Sequence, residues 1–285
     1  MQTSAEKKIA IVCNVLAGVG KASLLAEKIA AQLTSKKIGH VIYKENWPAD
    51  FNFFTDVFIV GGDGTLNYFI NRYPNIELPL VIFNGGTGND FHWLLYANKT
   101  LDEQLQVALS ESAKPIDIGK CNERYFINGV GIGFEGAVAK ALMGKKKQPG
   151  KTSFLITVLK KIVTYLSKNY RIQSAKEVYQ GKKLLVDISN GARAGGGFHI
   201  APEAKADDGM LNVIIVESIR PWQRLWYLPI IEKGKHLKLP IVHHSLSSEI
   251  TIESDQLIQY HLDGEYFEAQ KLVIHILPAK VYIRF

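Results

Sequence analysis

The chain has 285 residues, which is enough for one large domain or about two smaller ones, and 47% of them are hydrophobic while 21% are charged. This balance excludes a disordered chain and allows a sizeable core. The 34 lysine and arginine residues outnumber the 27 acidic residues, and the formal net charge of +7 favours anionic partners such as nucleotides, nucleic acid or an acidic membrane surface. Two cysteines are too few for a disulfide framework or a cysteine-built zinc site.

The first 115 residues alternate between apolar runs and helical patterns, as in chains that build a parallel sheet. Strands are predicted at residues 9–15, 40–44, 56–60 and 80–83, and helices at residues 23–33, 66–73 and after 90. The third and fourth of these strands each run directly into a glycine turn that opens a helix. Open α/β sheets hold their ligands at such strand ends, so the pattern predicts a Rossmann-like α/β domain with a ligand at this edge.

After about residue 115 the pattern changes to short β-rich runs separated by turn residues. These runs lie at residues 125–132, 184–189, 211–216, 249–253, 259–262, 272–277 and 281–285, with helical segments at 153–166 and 221–231. This arrangement is typical of an antiparallel sheet or sandwich. The predicted domains are therefore an α/β domain at residues 1–117 and a β-sandwich at residues 118–285, whose last strand could return to the first domain.

The most informative motif is Gly61-Gly-Asp-Gly-Thr65, which has three glycines in five residues directly after an apolar strand. Glycines let the backbone turn sharply and bring its N–H groups close to an anion, and the helix that follows adds its positive N-terminus. Asp63 suits the Mg²⁺ that accompanies a nucleotide. The alternative is an ordinary strand-to-helix turn in which Asp63 is a capping residue.

A second loop, Gly85–Asp90, repeats the arrangement at the next strand end. Thr87 offers a hydroxyl to a phosphate, whereas Asn89 and Asp90 are suited to cap the following helix. Capping explains this loop by itself, but a shared nucleotide explains the two loops together. A third loop, Asn14–Lys21, lacks the residues of a complete P-loop.

Two later loops carry carboxylates. The loop Ala201–Met210 offers carboxylate and carbonyl oxygens to a cation such as Mg²⁺ or Ca²⁺, with a solvated Asp-Gly turn as the alternative. In Leu262-Asp-Gly-Glu265 a carboxylate at a tight turn could accept the proton of an attacking hydroxyl. The spacing alone favours an exposed hairpin turn at this position.

Other patterns exclude some kinds of chemistry. A complete G-x-G-x-x-G occurs at Gly131–Gly136, but no acidic residue about 20 positions later would hold a ribose, so it is interpreted as a packing turn. The eight histidines form no metal-binding set in the sequence. There is no nucleophile elbow, and nothing indicates covalent catalysis.

These motifs, in this order, resemble the diacylglycerol kinase catalytic-domain superfamily, which includes bacterial lipid kinases and the sphingosine and ceramide kinases. The resemblance covers residues 9 to 285, and the matching segments are Gly61–Asn67, Gly86–Phe91, Asn128–Phe134, Gly195–Gly197 with Ala201-Pro202, Asp207–Gly209 and Leu262–Glu265. The first of them is shared with NAD kinases and phosphofructokinases. The second and the last are much more selective for lipid kinases.

The resemblance implies two domains with ATP in the cleft between them, and ATP- and Mg²⁺-dependent phosphorylation of a hydroxyl of a membrane lipid such as diacylglycerol or a sphingoid-like acceptor. It implies nucleotide contacts from Asn14, Gly18, Gly61, Gly62, Asp63, Gly64, Thr65 and Thr87. Asp63 would also belong to the catalytic Mg²⁺ network, and Glu265 would be the base that activates the lipid hydroxyl. Asp208, with the carbonyls of Lys205 and Met210, would hold a structural Mg²⁺.

Two departures from the family pattern stand out. The family's first loop usually reads Asn-Pro-x-Ser-Gly, whereas this chain has Val15 and Ala17 at the proline and serine positions. The change removes a phosphate-facing hydroxyl but leaves Asn14 and the backbone donors. The family often carries a glutamate where this chain has Tyr68. Neither departure removes a residue to which chemistry is assigned.

A membrane partner is predicted from basic and aromatic residues. The basic residues of the stretch 140–171 surround an apolar helix, and they include Lys145–Lys147, Lys151, Lys160, Lys161, Lys168 and Arg171. Trp222, Trp226 and Tyr227 alternate with Arg220 and Arg224. Both patterns suit peripheral docking on an anionic bilayer, with a solvated basic face over a core helix as the alternative. No signal peptide or apolar run of ~18 residues is present, so we expect a cytoplasmic, peripherally membrane-associated protein.

Three other functions compete with the lipid kinase. One is an NAD kinase-like phosphotransferase, and another is a catalytically silent lipid- or nucleotide-binding protein. The third is nucleic-acid binding, which is disfavoured because no helix-turn-helix, RNA-recognition motif or zinc finger is present. The sequence leaves open which lipid is the acceptor and whether the chain forms a homodimer.

Overall fold

The computed structural model describes residues 7–144 and 152–285, which form two compact units. The N-terminal unit comprises the residues up to Ile116 together with Ala279–Phe285, and the C-terminal unit comprises Asp117–Pro278. The chain therefore passes from one unit to the other twice. The two-domain organisation expected from the sequence is confirmed.

The N-terminal unit is built on a parallel sheet. Its strands are β1 (Lys8–Cys13), β2 (Gly39–Tyr43), β3 (Asp56–Gly61) and β4 (Leu80–Asn84), and its helices are α1 (Lys21–Ser35), α2 (Asp63–Arg72), α3 (Asp90–Tyr96) and α4 (Leu101–Ser110). The strand order is β4-β3-β1-β2, and all three neighbouring pairs are parallel. Because β2 and β3 pair with opposite edges of β1, the strand order reverses between β1 and β3, which is where such sheets bind ligands.

Burial explains why these segments form strands and helices. Every residue of β3 is buried, as expected for a parallel strand that is covered on both faces. On α1 the buried stripe is Ala22, Ala26, Ile29 and Leu33, which recur at helical spacing and pack against the sheet. At the end of the chain, Nε of Arg284 donates to the buried carboxylate of Asp56 at 2.7 Å, and this ion pair ties the last residues to β3.

The C-terminal unit consists mainly of antiparallel strands. The remaining elements are β5 (Lys114–Cys121), β6 (Arg124–Phe126), β7 (Gly129–Gly133), α5 (Phe134–Leu142), α6 (Thr152–Thr164), β8 (Lys168–Ser174), β9 (Val178–Ser189), β10 (Leu211–Glu217), α7 (Pro221–Glu232), β11 (Val242–Ser247), β12 (Glu249–Leu262) and β13 (Glu265–Ile283). Strands β9 and β12 both pair with β7 near one end and with β8 near the other. One apolar core collects residues from β7, β8, β9, β10, β12 and β13. Among the described residues, no helix is long and apolar enough to cross a membrane.

Several element boundaries differ from the sequence expectation. The β runs at 249–253 and 259–262 are one strand, β12, whose pairing with β13 shifts register between Glu253 and Ile258. The polar residues between those positions resemble a turn in the sequence, but they form an irregularity within a continuous strand. The predicted runs at 272–277 and 281–285 likewise belong to the single strand β13. Helices α4 and α5 and strands β5, β8 and β11 were not predicted.

Candidate active site

Three glycine loops meet at the carboxyl ends of β1, β3 and β4 in the N-terminal unit. A Cβ atom on Gly62 would lie 2.5 Å from the carbonyl oxygen of Gly88, which is closer than real Cβ atoms come. A Cβ on Gly86 would collide with Gly62, and one on Gly18 would collide with the carbonyl of Gly85. Gly18 also has φ +60°, in the left-handed region that favours glycine. The loops therefore pack backbone against backbone, and only glycine fits at these contacts.

Asn14 joins the loop after β1 to the Gly61–Thr65 loop after β3. Its Nδ2 donates to Oγ1 of Thr65 at 3.2 Å, and its Oδ1 accepts the N–H of Leu16 at 3.1 Å. The backbone N–H of Asn14 donates to the carbonyl of Val60 at 3.2 Å. Thr65 is only 4% exposed, so its hydroxyl lies under the loop surface. The structure thus brings together two of the predicted nucleotide-binding residues, and their side chains hold the loops to each other.

The carboxylate of Asp63 caps helix α3. Its Oδ2 accepts the N–H of Asp90 at 2.8 Å and its Oδ1 accepts the N–H of Phe91 at 3.1 Å. The backbone N–H of Asp63 donates to the carbonyl of Gly88 at 3.1 Å. Asp63 is itself the first residue of α2, so a residue of one loop caps the helix that follows the neighbouring loop. Its role in a magnesium network stays a prediction.

Asn89 does not cap α3, contrary to the expectation from the sequence. The N-cap residue Asn89 makes no side-chain capping bond. Its Nδ2 donates to the carbonyl of Gly86 at 2.9 Å, and its Oδ1 accepts the N–H of Gly86 at 3.3 Å. The reason is competition, because the carboxylate of Asp63 already takes the first N–H groups of the helix.

The solvent-facing rim of these loops suits an anion. Gly64, Thr87 and Gly88 are exposed, whereas Gly61 and Thr65 are buried behind them. Helix α2 begins at Asp63, so its positive N-terminus faces this rim. Backbone N–H groups, the Thr87 hydroxyl and one carboxylate are the groups that a magnesium–nucleotide complex needs. The residues present therefore fit such a ligand.

In the C-terminal unit, Leu262–Glu265 is a two-residue hairpin turn between β12 and β13. Asp263 and Gly264 have φ +48° and +86°, as in the turns that suit the twist of a hairpin. The Asp263 carboxylate accepts three backbone N–H groups, those of Ile127 at 2.7 Å, Asn128 at 2.8 Å and Gly129 at 3.0 Å. These bonds fix the turn to the start of β7. Glu265 follows the turn and is exposed, so its carboxylate is accessible to a substrate.

Two carboxyl groups, that of the buried Asp187 and that of the half-buried Glu135, lie beside this turn. His261 Nδ1 accepts the N–H of Gly264 at 3.3 Å, and its Nε2 lies 3.6 Å from Oε2 of Glu135. Glu135 in turn interacts with Asp187, which also accepts a hydrogen bond from the Ser189 hydroxyl. Burial, followed by the charge of Glu135, raises the pKa of Asp187 well above its usual range.

The glycines of the G-x-G-x-x-G segment make room for this cluster. A Cβ on Gly131 would collide with the side chains of Glu135 and His261, and one on Gly136 would collide with the backbone of Gln259. The interpretation of Gly131–Gly136 as a packing turn is therefore confirmed by the close approach of α5 to β12.

The predicted structural metal site lies on an exposed loop. Lys205 and Asp208 are exposed, and Oδ1 of Asp208 accepts the N–H of Met210 at 3.0 Å. Gly209 donates its N–H to Oδ2 of Asp117 at 2.7 Å. Among the described residues no group of three or more His, Cys, Asp or Glu side chains could hold a metal ion. The predicted set needs only one carboxylate and two carbonyls, which is chemistry that Mg²⁺ accepts, and it stays a prediction.

Two apolar cavities lie in the C-terminal unit, and no motif in the sequence marks them. Their enclosed volumes are about 60 and 80 Å³, which is room for a few water-sized groups rather than for a whole small molecule. They share six lining residues, namely Phe134, Leu185, Val216, Leu228, Ile231 and His236. Helices α5, α6 and α7 and strands β9, β10 and β11 all contribute side chains to one or both. The two cavities are therefore neighbouring parts of one apolar space.

Arg224 lines the first cavity and is not part of the basic outer surface predicted from the sequence. It is only 7% exposed. Its Nη1 donates to the carbonyls of Ile162 and Tyr165 at 2.8 Å each, and its Nε and Nη2 donate to the carbonyl of Ile219. The guanidinium thus satisfies carbonyls at the end of α6, where the helix dipole favours a cation.

Comparisons with known proteins agree with this architecture. Residues 8–121 match the family described as diacylglycerol kinase catalytic domain, and residues 128–284 match the family described as YegS C-terminal NAD kinase beta sandwich-like domain. A diacylglycerol kinase of Staphylococcus saprophyticus is 33% identical over 74% of this chain and 70% of its own length. One from Staphylococcus haemolyticus is 30% identical over 80% of this chain and 69% of its own length.

Solved structures show the same fold over nearly the whole chain. A candidate diacylglycerol kinase of Bacillus anthracis has a TM-score of 0.78 and 25% identity, with 98% of this chain and 97% of that one covered. Another from the same organism has a TM-score of 0.74 and 26% identity over the same shares. By these matches and by its motifs, the chain belongs to the diacylglycerol kinase family of lipid kinases.

Proposed function

We propose that the protein transfers the γ-phosphoryl group of ATP, with Mg²⁺, to a hydroxyl of a membrane lipid of the diacylglycerol or sphingoid type. The observation that carries the proposal is the exposed rim of the glycine loops, where backbone N–H groups, the Thr87 hydroxyl and the Asp63 carboxylate offer what a magnesium–nucleotide complex needs. The relatives named diacylglycerol kinase support the same class of acceptor.

The three glycine loops of the N-terminal unit would hold the phosphates of ATP. Phosphoryl transfer asks a protein mainly to position its substrates and to stabilise charge. The exposed rim formed by Gly64, Thr87 and Gly88 provides backbone N–H groups and a hydroxyl for this purpose. A bound Mg²⁺ would neutralise charge on the phosphates, and Asp63 would be the carboxylate that holds it.

Glu265 would accept the proton of the lipid hydroxyl. Its side chain is exposed, and the turn that precedes it is fixed by the three N–H bonds of Asp263. A base held on a rigid turn keeps its direction, which general base catalysis requires. The hydroxyl oxygen then attacks the γ-phosphorus while its proton moves to the Glu265 carboxylate.

Exposed apolar residues on α6 and α7 would dock the protein on a bilayer. Val163 is 63% exposed, Trp222 57% and Trp226 75%. Lys160, Lys161, Lys168 and Arg220 flank them, whereas the predicted basic residues Lys145–Lys147 and Lys151 lie outside the described residues. Tryptophan and basic residues together favour an anionic membrane surface. Since Ile162 and Leu228 of the same two helices line the cavity, a lipid entering from the bilayer would have a short path.

Transfer of labelled γ-phosphate from Mg-ATP tests the proposal. One reaction offers a panel of lipids in mixed micelles, and a second reaction offers NAD. We expect label in an organic-extractable product and none in NAD. Label in NAD would show that the acceptor is a nucleotide and not a lipid. Nucleotide binding without transfer to any acceptor would indicate a catalytically silent binding protein.

Docking is tested separately with vesicles. Wild-type protein is expected to bind vesicles that contain an anionic lipid, and Trp226→Ala should bind them severalfold more weakly because it loses an interfacial aromatic. Tyr125→Ala on β6, away from α6 and α7, is the control. Equal binding by both variants would assign the exposed tryptophans to another role.

A further inference from the structure

The imidazole of His261 lies between the first turn of α5 and the hairpin turn that precedes Glu265. Its Nδ1 accepts the N–H of Gly264 at 3.3 Å, and its Nε2 lies 3.6 Å from Oε2 of Glu135. A Cβ at Gly131 would collide with both of the latter atoms, so they share the space above that glycine. The His261 side chain is only 16% exposed. Each ring nitrogen therefore lies beside a polar group of a neighbouring segment.

The bond from Gly264 fixes which ring nitrogen carries the hydrogen. A backbone N–H only donates, so Nδ1 of His261 is the acceptor and carries no hydrogen. The imidazole is then neutral, and its hydrogen is on Nε2, beside the Glu135 carboxyl group. Burial and the charge of Glu135 raise the pKa of Asp187, which leaves Glu135 as the ionised member of that pair. The ionised carboxylate attracts the Nε2–H group and so orients the ring.

Gly264 is the least restrained residue of the hairpin turn. Its φ is +86°, and a Cβ at this position would meet no heavy atom of the described residues within 4 Å. Asp263 is tied to β7 through its carboxylate, which accepts three N–H groups, and through its own N–H, which donates to the carbonyl of Gly129. None of these bonds uses the N–H of Gly264. The bond to His261 holds that group, one residue before Glu265.

We propose that His261 is a positioning residue for phosphoryl transfer, because by accepting the N–H of Gly264 it sets the direction in which Glu265 presents its carboxylate. The inference rests on the proposed lipid-kinase function, in which Glu265 is the base, and adds a residue that acts through that base. A base must lie within hydrogen-bond reach of the proton that it takes. A small displacement of the turn therefore lowers turnover without changing how the substrates bind.

Two substitutions separate the two nitrogens of the ring. The side-chain amide of asparagine reaches about as far as Nδ1, and that of glutamine reaches about as far as Nε2. We expect His261→Gln to lower kcat about tenfold, with the KM values for ATP and lipid unchanged. His261→Asn keeps an acceptor for the N–H of Gly264 and should stay within about twofold of the wild-type kcat. His275→Gln, opposite Glu249 at the other end of the β12–β13 pair, is the control.

A double variant distinguishes positioning of the base from general damage to the fold. If His261 acts through Glu265, His261→Gln should lower kcat by less than about twofold once Glu265→Gln has removed the base. A role in stability alone would produce the same loss in both backgrounds. That result would overturn the proposal, as would a wild-type kcat in His261→Gln or equal losses in His261→Gln and His261→Asn.

Two measurements without substrate test the bond itself, including the case in which a variant fails to fold. Long-range proton–nitrogen spectra of the wild-type protein labelled with ¹⁵N-histidine should show His261 with a bare Nδ1 and a hydrogen on Nε2. Exchange of the Gly264 amide hydrogen should be about tenfold faster in His261→Gln than in the wild type. A hydrogen on Nδ1 in a protein that phosphorylates lipid would overturn only the positioning role. If no lipid receives phosphate, the lipid-kinase function fails and the positioning role fails with it.

Discussion

The two units of the molecule build their candidate sites from different materials. In the N-terminal unit the loops meet backbone to backbone, and Gly18, Gly62 and Gly86 are each required because a Cβ would collide with a neighbouring loop. In the C-terminal unit the cavity is lined by apolar side chains from six elements, with only a few polar atoms at its edge. The glycine-loop site therefore depends on a few glycines, whereas the apolar cavity depends on the packing of many side chains.

This difference indicates which parts of a kinase of this family tolerate amino-acid substitution. A phosphate has the same shape in every nucleotide, so a site made of backbone N–H groups serves it with little scope for variation. Lipid acceptors differ in chain length and headgroup, and a cavity of exchangeable side chains can follow those differences. Each prediction below tests this contrast between the two units.

The largest effect is expected from Glu265→Gln. Removing the base should lower turnover by a factor of about a hundred or more, while ATP affinity stays unchanged because the glycine loops are untouched. Steady-state kinetics together with nucleotide-binding titrations measure both quantities. Glu268→Gln, which changes another carboxylate of β13, is the control. If Glu265→Gln lost ATP affinity as strongly as it loses turnover, the two units would not bind the nucleotide and activate the acceptor separately.

Asp263→Ala should destabilise the protein by about 3 kcal/mol, because it leaves the N–H groups of residues 127–129 without their acceptor. The free energy of unfolding from denaturant titration measures this loss. Asp255→Ala changes an exposed aspartate of β12 and should shift stability by less than about 0.5 kcal/mol. Full stability of Asp263→Ala would mean that the hairpin turn does not depend on this anchor.

Gly62→Ala should cost about 2 kcal/mol, since a Cβ would lie 2.5 Å from the Gly88 carbonyl and push the two loops apart. Gly64→Ala is the matched comparison, because a Cβ at Gly64 meets no heavy atom within 4 Å. In the first turns of α2 that alanine should leave stability equal or higher by up to about 1 kcal/mol. Thermal unfolding of both variants decides whether backbone contact explains these glycines.

The pH dependence of stability should change modestly in Asp187→Asn. Burial and the charge of Glu135 raise the pKa of Asp187 in the folded protein above its unfolded value. The contribution of Asp187 to stability is therefore fully present below the unfolded pKa of about 4 and is lost as the pH rises through the folded pKa. The asparagine variant should lose less stability than the wild type over that range. Parallel denaturation profiles would show that Asp187 does not titrate differently in the folded state.

The sequence by itself determined the class of each unit and the glycine-rich site. The alternation of apolar runs with helical patterns predicted the parallel strands that end in Gly61–Thr65 and Gly85–Asp90. The glycines of these two loops indicated sharp turns and close approach of the backbone. The motif order led to the family that the comparisons confirm. Local patterns carried this information, since each glycine-rich motif lies within seven consecutive residues.

Only the tertiary structure decided how the individual polar groups are used. Asp63 caps α3 from 27 positions earlier in the chain, and Asp263 binds N–H groups 134 to 136 positions away. The inward direction of Arg224 depends on carbonyls from other segments of the chain. Partners so distant in sequence leave no local pattern, because folding alone brings them within hydrogen-bonding distance.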